Sequence, residues 1–442
     1  MTPKSSTNFL EHFEQLEGLL GTYGPSDLAQ TRRDAIRRFS EFGYPTTKDE
    51  EFKFTPFRWV EETAFGFAYG ATVTRAELES LPLGDLSAST IVLVNGQVAP
   101  ELETLRALPD GVFFGSLADA FEAIPDEVAA HLGKIATLNG KLGTTNDERF
   151  VDLNTAFVGE GTVLFVPKGV ALEHPIHIVH VNKADHGALA AHSRTLIILG
   201  ENAEAKVVES VLSLEGTAFV NAVTEVHLER HARLEHITNQ DQNLDSAFVA
   251  NHAVHQNANS VYQAFSAAFG SRLARIDLNV WIAGEHTETW LNGMYVGKGN
   301  QVIDHHTRID HAQPNCNSFE IYKGILDDQS QGVFNGKIFV YEDAQKTDAK
   351  QTNQAILLSP TATIHTKPQL EIFADDVKCT HGATIGQLRE DALFYLQARG
   401  IPKNEARSIL VYAFAAEVLE KITIDEVRER LEKRLFEKLK LA

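Results

Sequence analysis

A near-regular repeat in the middle of the chain limits the folds that this sequence can adopt. In each repeat, a short polar residue and a small or turn residue precede an alternating apolar stretch. Successive matches are 28, 29, 26, 29, 29 and 28 residues apart. One match means little, but near-constant spacing over a series indicates structural units of equal size. The matching pairs are His174-Pro175, Asn202-Ala203, His231-Ala232, Asn257-Ala258, His286-Thr287, Asn315-Cys316 and Asp343-Ala344.

The stretches between these pairs show the two-residue period of β-strands. Between Arg275 and Ile282, apolar residues occupy every second position, which is typical of a strand with one buried face. The repeat is shorter than the ~40–50 residues of a propeller blade. We therefore predict that residues 146–380 form a right-handed parallel β-helix, a β-solenoid whose coils pair through their backbones. Its coils, at roughly 4.8 Å each, would make a rod of about 35 Å. A β-sandwich with regularly spaced hairpins is the alternative.

The regions on either side of the repeat carry helical patterns. Residues 1–145 are predicted to form a mainly helical N-terminal domain, and residues 381–442 a C-terminal helical domain. We expect the two domains to cap the open ends of the solenoid. The segment Ala406–Leu419 is rich in apolar residues, which predicts a helix buried on most sides. Apolar stripes at helical spacing comprise Phe9, Phe13, Leu16 and Leu20 near the start, and Val427, Leu431, Leu435 and Leu439 near the end.

Helix starts are marked by short polar side chains. Thr74 with Glu77, and Thr423 with Glu426, have the spacing of a capping box, in which two side chains satisfy free backbone N–H groups. Ser26 is a candidate cap for a second helix.

The composition argues against several classes of partner. The chain has 60 acidic and 40 basic residues and a formal net charge of −20, which opposes binding to nucleic-acid phosphates. Its 2 cysteines make no disulfide framework, which favours a reducing compartment. We find neither a secretory signal nor an apolar run of the ~20 residues that span a bilayer. We therefore expect a cytoplasmic protein without a membrane partner.

The sequence lacks the common nucleotide-binding and hydrolytic motifs. The run Gly332–Ile338 has the wrong spacing for a P-loop and lacks the hydroxyl that binds Mg²⁺. No glycine-rich dinucleotide fingerprint, zinc-protease H-E-x-x-H motif or G-x-S-x-G elbow occurs. We therefore predict that the chain is not an enzyme.

Histidines in the repeat region suggest an alternative function. His174, His177 and His180 are predicted to alternate on one face of a strand. Histidine is the commonest metal ligand, so the alternative is a stand-alone β-solenoid metalloenzyme with a His/Asp centre around Asp304–His311. The simpler interpretation is that stacked coils repeat polar residues at turns and exposed faces, and that Cys316 lies in the core. The candidate centre comprises Asp304, His305, His306, Asp310 and His311.

The most specific chemical signal follows the last repeat, where Cys379 stands two residues before His381. Alternate residues of an extended segment point to the same side. A thiolate with an imidazole is a pair that soft metals and iron–sulfur centres favour. Two ligands cannot complete a site, so the others must come from elsewhere in the chain or from a partner. From the residues alone, a buried free cysteine beside a hydrogen-bonded histidine is the alternative.

The stretch around this pair resembles a known family. Val377–Thr384 reads VKCTHGAT, and Phe394–Ile401 reads FYLQARGI at the end of a predicted helix that Gly400 stops. Both resemble the C-terminal signature of the SufB/SufD family of iron–sulfur cluster assembly proteins, its SufD branch in particular. Near the N-terminus, Pro45–Phe57 resembles the PTxKDExWxxT element of SufD-like proteins, with Phe52 where tryptophan is usual.

The resemblance implies a subunit without catalytic activity of its own. SufB paralogues carry a cysteine regarded as the essential cluster-building ligand at the position of Leu396, so this chain resembles SufD rather than SufB. The family implies pairing with a SufB-like paralogue through the solenoids and binding of a SufC-like ATPase through the C-terminal helical region. Together these subunits would support cluster assembly on a shared SufBCD scaffold. The isolated chain could form a homodimer that mimics this heterodimer.

The resemblance also implies site residues. His381 and Cys379 are candidate residues of a cluster site shared with SufB, and His381 is the stronger candidate as a metal ligand. No cofactor is expected to bind tightly to the isolated chain, and an iron–sulfur cluster would be shared transiently at the SufB interface. The residues expected to bind the ATPase partner are Gln387, Asp391, Phe394, Tyr395, Arg399 and Gly400.

Overall fold

The chain winds into a solenoid whose coils form two long β-sheets that face each other. The computed structural model describes residues 5–20, 28–67, 71–136 and 148–439. Sheet I runs in the order β4 (Phe113–Ser116), β5 (Gly161–Val166), β7 (Leu189–Leu199), β9 (Ala218–Leu228), β11 (Ala247–Gln256), β13 (Leu273–Ile282), β15 (Val302–His311), β17 (Gln331–Val340) and β19 (Thr363–Ile372), with β1 (Gly66–Phe67) beside β7. Sheet II runs in the order β3 (Gln97–Val98), β2 (Ser89–Val94), β6 (Ile176–Asn182), β8 (Glu204–Ser213), β10 (Arg233–Asp241), β12 (Val261–Ala268), β14 (Glu288–Gly297), β16 (Asn317–Leu326), β18 (Asp348–Leu357) and β20 (Lys378–Gly386).

Consecutive strands alternate between the sheets, so each coil adds one strand to each sheet. Ala250 of β11, for example, lies opposite Ala222 of β9 and Ile276 of β13, and both pairings are parallel. A sandwich built of hairpins would pair consecutive strands in antiparallel fashion. The predicted β-solenoid is therefore confirmed. The antiparallel pairs among the described residues, β2 with β3 and β4 with β5, lie at the first end of the sheets.

The repeated polar residues form the corners that lead into sheet II. Several have φ between 58° and 63° and stand two residues before a strand, a left-handed conformation in which Asn and His are enriched. At two further corners the left-handed residue is Asn259 or Lys346, whereas the sequence pattern indicated Asn257 and Asp343. The left-handed residue at these corners therefore always stands two residues before the next strand. The first polar residue of the sequence pattern does not locate it. The corners at the predicted positions are Asn202, His231, His286 and Asn315.

Apolar side chains from both sheets fill the interior of the solenoid. Every second residue of a strand points inward, and most of these positions hold aliphatic side chains. Burial of this surface contributes about 25 cal/mol per Å² to the free energy of folding. The cluster includes Ile178, Val207, Leu234 and Leu291 from sheet II and Val226, Val254, Val280 and Ile309 from sheet I.

Most of the N-terminal helices lie against the outer face of sheet I, whereas the short helix Arg75–Glu79 packs on the outer face of sheet II. Phe39 and Phe150 join a buried aromatic cluster that contains Phe219 of β9. Ser26 and the side chain of Leu20, which belong to the sequence predictions, lie outside the described residues. The helices are α1 (Ser5–Leu20), α2 (Leu28–Phe42), α3 (Arg58–Glu62), α4 (Arg75–Glu79), α5 (Leu117–Ala123), α6 (Pro125–His131) and α7 (Arg149–Ala156), with 3₁₀ turns at Glu50–Phe52 and Pro100–Leu102.

Of the C-terminal helices, the second and third lie against the outer face of sheet II, and the first packs against the second. They are α8 (Glu390–Ala398), α9 (Lys403–Leu419) and α10 (Asp425–Lys438). Lys323 of β16 forms an ion pair with Glu417 and donates a hydrogen bond of 2.8 Å to the Phe414 carbonyl. The buried residues of α9 are Ala406, Val411, Ala415, Val418 and Leu419. Helix α9 is therefore buried on one face, and not on most sides, because only that face meets the sheet. The predicted stripe of α10 is buried as expected, at Val427, Leu431, Leu435 and Leu439.

Of the two predicted capping boxes, one is present. Thr74 and Glu77 exchange the expected hydrogen bonds at the start of α4. The predicted box of Thr423 and Glu426 is wrong, because Thr423 bonds to Glu235 of β10. The Glu426 carboxylate accepts hydrogen bonds from other groups, so both side chains join α10 to the body of the protein.

The helices cover the sides of the solenoid, and they do not stack on its ends. Val208, Phe265 and Met294 on the outer face of sheet II are buried beneath the C-terminal helices, since a parallel sheet with two apolar faces must be covered on both. Strands β2 and β4 come from the first 145 residues, and β20 continues past residue 380 to Gly386. No helix that the structure describes has the length and apolar character needed to cross a membrane.

Candidate functional site

The last coil of the solenoid carries the Cys-x-His pair on an open sheet edge. Strand β19 ends sheet I and β20 ends sheet II, and no further strand of the described residues pairs with either one. Backbone groups along such edges are free to pair with another chain. Three exposed apolar side chains lie on or beside these strands, Ile372 at 39%, Phe373 at 57% and Ile385 at 48% exposure.

Cys379 and His381 share one face of β20, opposite Ala349 and Gln351 of β18. His381 is exposed and Cys379 is half-buried. Burial raises the pKa of the Cys379 thiol, and the nearby Asp348 carboxylate raises it further. A metal or cluster would therefore have to displace a thiol proton at neutral pH. Among the described residues, no third His, Cys, Asp or Glu ligand converges on this pair.

A polar column lies beneath His381. In successive coils, the residues at its ladder position are Gln351, Glu320 and Leu291. The Gln351 Nε2 donates a hydrogen bond of 2.7 Å to Glu320 Oε2. Burial raises the pKa of Glu320 to about 7, because the charged carboxylate is disfavoured in the interior. The column therefore leads from an exposed imidazole to a buried carboxyl group that titrates near neutral pH.

Helix α8 contains no buried residue, and most of its residues are exposed. Phe394 is 73% exposed and Tyr395 is 56% exposed. Arg399 donates a hydrogen bond of 2.8 Å to the Tyr395 hydroxyl. Gly400 has φ of +86° and ends the helix as the sequence predicted. All six predicted partner-binding residues are exposed on or beside this helix, namely Gln387, Asp391, Phe394, Tyr395, Arg399 and Gly400.

The residues of the alternative His/Asp centre around Asp304–His311 do not converge on one point. Ring nitrogens of His305 and His311 contact serine hydroxyls of sheet II inside the solenoid. Asp304 and His306 lie on the opposite face of β15, where their side chains are 3.1 Å apart. Side chains on opposite faces of a strand cannot bind one ion. These residues therefore cannot together form the metal centre of the alternative hypothesis.

Asp304 and His306 instead hold the N-terminal segment 45–57 against sheet I. His306 Nδ1 lies 3.4 Å from Glu51, and Arg275 lies 2.7 Å from Asp304 and donates to the Glu51 carbonyl. Burial and Arg275 oppose protonation of His306, but Asp304 and Glu51 raise its pKa. The hydrogen bond from His306 lowers the pKa of Glu51 to about 2. The segment that resembles the family element therefore fixes the N-terminal region to sheet I, and residues 45–57 are called the strap below.

A cleft of about 640 Å³ opens beside this strap and is lined by residues of β15, β17, β19 and β20. The Phe54 ring stacks on His365 with centroids 3.8 Å apart. Glu50, Lys53 and Lys367 also line the cleft. Because acidic, basic and apolar groups are mixed, the lining indicates no particular class of ligand.

The predicted common face of His174, His177 and His180 is wrong. Strand β6 begins after His174, and a separation of three residues places the other two histidines on opposite faces of a strand. His177 Nε2 lies 2.9 Å from the Ser210 hydroxyl. His180 points inward, with Nε2 3.8 Å from Glu209.

Sequence reasoning missed a buried cluster of Glu209, His236 and His252 inside the solenoid. Part of the signal was present, because Glu209 and His236 are 27 residues apart and therefore one coil apart. His252 lies on the opposite sheet, and no local pattern reports which residues face each other across the interior.

These features define a β-solenoid protein that carries Cys379 and His381 on an open sheet edge, a few residues before an exposed helix. A family model described as the SufBD core domain of SUF system FeS cluster assembly matches residues 180–414, and a model of the SufBD protein N-terminal region matches residues 3–178. The chain therefore belongs to the SufBD family of iron–sulfur cluster assembly proteins. Within that family it is SufD-like.

Curated relatives align over most of their length. An iron–sulfur cluster assembly SufBD family protein of Synechocystis is 32% identical over 415 residues, which cover 92% of this chain and 90% of the relative. The iron–sulfur cluster assembly protein SufD of Escherichia coli is 29% identical over 438 residues and 98% of each chain. A chloroplastic Arabidopsis thaliana protein, ABCI7, is 30% identical over 434 residues, 95% of this chain and 88% of the relative.

Proposed function

We propose that this chain is the non-catalytic, SufD-like subunit of a cluster assembly complex. It pairs with a SufB-like paralogue and binds a SufC-like ATPase, through which the energy of ATP hydrolysis enters. The observation that carries this proposal is the unpaired edge of β20 beside Cys379 and His381. The similarity to a protein named SufD over nearly the full chain supports it.

Strand pairing at the last coil would explain both the free edge and the incomplete ligand set. An edge strand that adds a strand from another chain gains main-chain hydrogen bonds. One thiol and one imidazole fall short of the four ligands that iron–sulfur clusters take. A SufB-like chain laid against β20 would supply the other ligands, and the cluster would be cargo shared transiently at this interface.

The exposed helix α8 is the proposed contact for the ATPase. The sequence suggests deletion of residues 387–442 as a test of ATPase binding. This deletion would also remove α9 and α10 and expose the apolar outer face of sheet II. Val411, Val418 and Leu431 are buried against that face. Substitutions on α8 itself therefore test ATPase binding more cleanly than a deletion does.

The test of the proposed function is reconstitution with SufB-like and SufC-like chains. We expect the three chains to co-purify. The His381→Ala variant should assemble the same complex but accumulate less iron and sulfide per complex, because one ligand of the shared site is gone. The matched control is His174→Ala, because His174 is also an exposed histidine and lies before the first long strands. This variant should accumulate clusters normally.

Two outcomes would contradict the proposal. A chain that does not bind the SufB-like partner cannot share a site with it. Normal cluster content in His381→Ala, with the complex intact, would remove His381 from the site and leave Cys379 as its remaining candidate.

A further inference from the structure

A second group of ionisable side chains lies inside the solenoid, away from the last coil. Glu209 comes from β8, His236 from β10 and His252 from β11, so the group draws on both sheets. All three are buried, and one ligand atom of each lies within 4.8 Å of the others. Among the described residues, no other set of three or more such side chains meets this condition.

The buried Glu209 carboxylate is contacted by hydroxyl groups and imidazole rings. The hydroxyl groups of Thr195 and Thr224 donate hydrogen bonds to it at 3.1 and 3.0 Å. Its other contacts are imidazole nitrogens, the Nε2 of His180 at 3.8 Å and the Nε2 of His236 at 2.7 Å. Within the described ranges, the ion-pair partners of Glu209 are histidines, and no lysine or arginine is among them. A buried carboxylate is strongly unfavourable without a compensating cation.

The two histidines present nitrogens suited to a metal. His252 is 7% exposed and comes from the sheet opposite Glu209 and His236, and the neutral imidazole ring is the form that binds metals. The Nδ1 of His252 is buried without a hydrogen-bond partner. His236 Nε2 lies 2.7 Å from Glu209, and its Nδ1 lies 3.0 Å from the Tyr262 hydroxyl. Such a contact at the second nitrogen commonly orients a metal-binding histidine.

We propose that Glu209, His236 and His252 bind a divalent first-row transition-metal ion, Fe²⁺ or Zn²⁺, inside the solenoid. Imidazole nitrogens with one carboxylate suit these ions, whereas Ca²⁺ and Mg²⁺ take oxygen ligands. A further histidine, His180, has its Nε2 3.8 Å from Glu209 but does not belong to the group whose ligand atoms all lie within 4.8 Å of one another. The ion replaces the proton that otherwise joins His236 to Glu209, and it neutralises the carboxylate.

The ion cross-links the two sheets and serves the fold. The ligand side chains of Glu209, His236 and His252 are each no more than 7% exposed, so the ion is enclosed and is not presented to a substrate. The site is separate from the interface at His381 and does not depend on the proposed function. It replaces the expectation that the isolated chain holds no cofactor tightly.

The test measures metal in the full chain, purified without partners under anaerobic conditions from cells supplied with iron and zinc. Elemental analysis should find about one ion per wild-type chain, and below about a tenth of that in Glu209→Gln and in His252→Asn. Glu320→Gln is the matched control, because it removes another buried carboxyl group of the solenoid, and it should retain the ion. X-ray absorption at the metal edge of the wild-type chain should show nitrogen and oxygen ligands without sulfur.

Several results would overturn this assignment. One is a wild-type chain that holds neither metal as purified and takes up none when refolded from urea with Fe²⁺ or Zn²⁺. Another is an unchanged metal content in folded Glu209→Gln. If both ligand variants fail to fold, the absorption spectrum of the wild-type chain decides, and sulfur ligation or all-oxygen ligation contradicts the site. Loss of SufB-like binding would bear only on the proposed function.

Discussion

Gln351 lies directly below His381 in the ladder between β18 and β20, and its side chain reaches one coil further to Glu320. The amide group is therefore fixed between the exposed imidazole and the buried carboxyl group. Gln351 Oε1 and Glu320 Oε1 are both buried without hydrogen-bond partners. The interior beneath the last coil is therefore polar, as it also is around Glu209, His236 and His252.

Replacing Glu320 by Gln should flatten the pH dependence of stability near neutral pH. The pKa of Glu320 is about 7 in the folded protein against 4.5 ordinarily, so the folded state binds the proton more tightly. The stabilising contribution of the proton is full below pH 4.5 and is lost as the pH rises through 7. This loss amounts to about 3 kcal/mol. Urea unfolding at pH 5 and pH 8 should show that loss in the wild-type chain and a smaller one in Glu320→Gln; equal losses would contradict the assignment.

Breaking the strap at Glu51 and His306 should destabilise the chain most between about pH 4.5 and 6.5. The pKa of Glu51 is lowered to about 2, so its contribution is present above pH 4.5 and lost as the pH falls toward 2. The pKa of His306 is raised, so its contribution is full below pH 6.5 and lost as the pH rises through the folded value. Within this window, we expect His306→Ala to lower the free energy of unfolding by about 3 kcal/mol.

The control for the strap is an ion pair at the surface. Glu62 pairs with Arg58, and their side chains are 62% and 83% exposed. We expect Glu62→Gln to change the free energy of unfolding by less than about 0.5 kcal/mol. A His306→Ala variant no more affected than this control, as measured by urea unfolding at pH 6, would show that the strap contributes little.

The solenoid could be predicted because each coil repeats the same local pattern. A polar corner residue such as Asn202 or Asn315 precedes a strand in nearly every coil, and this order is visible along the sequence. Cys379 and His381 could likewise be placed together because they share one strand. Local order also has limits, since it suggested a common face for His177 and His180, although an odd spacing separates the faces of a strand.

Contacts between distant segments were beyond the sequence pattern. Glu51 meets His306 although about half of the chain separates them, and only the folded solenoid shows that β15 turns His306 toward the strap. The group of Glu209, His236 and His252 needs the register between coils and also the facing of two sheets. The sequence period gives the register between coils, but it does not show which residues of the two sheets face each other.

Replacing Phe394 by Ala should weaken binding of the SufC-like ATPase without destabilising the chain. Its side chain is 73% exposed, so little packing is lost, whereas an exposed aromatic residue at an interface often contributes 2 kcal/mol or more, roughly thirtyfold in Kd. Phe42→Ala is the matched control, because Phe42 is 68% exposed at the end of α2. Calorimetric titration with the ATPase should separate the two variants, and equal affinities would remove α8 from the interface.

Replacing Ala383 by Pro should block pairing at the open edge of β20. The Lys378 N–H donates to the Thr347 carbonyl at 2.8 Å, and because alternate N–H groups of a strand point to opposite edges, that of Ala383 points away from β18. Proline at this position removes a free edge donor and leaves the pairing with β18 intact. Ala383→Val keeps the donor and is the matched control. In size-exclusion chromatography we expect the proline variant to elute without the SufB-like partner and the valine variant to elute with it. A proline variant that keeps its fold and still binds the partner would show that the two chains meet elsewhere.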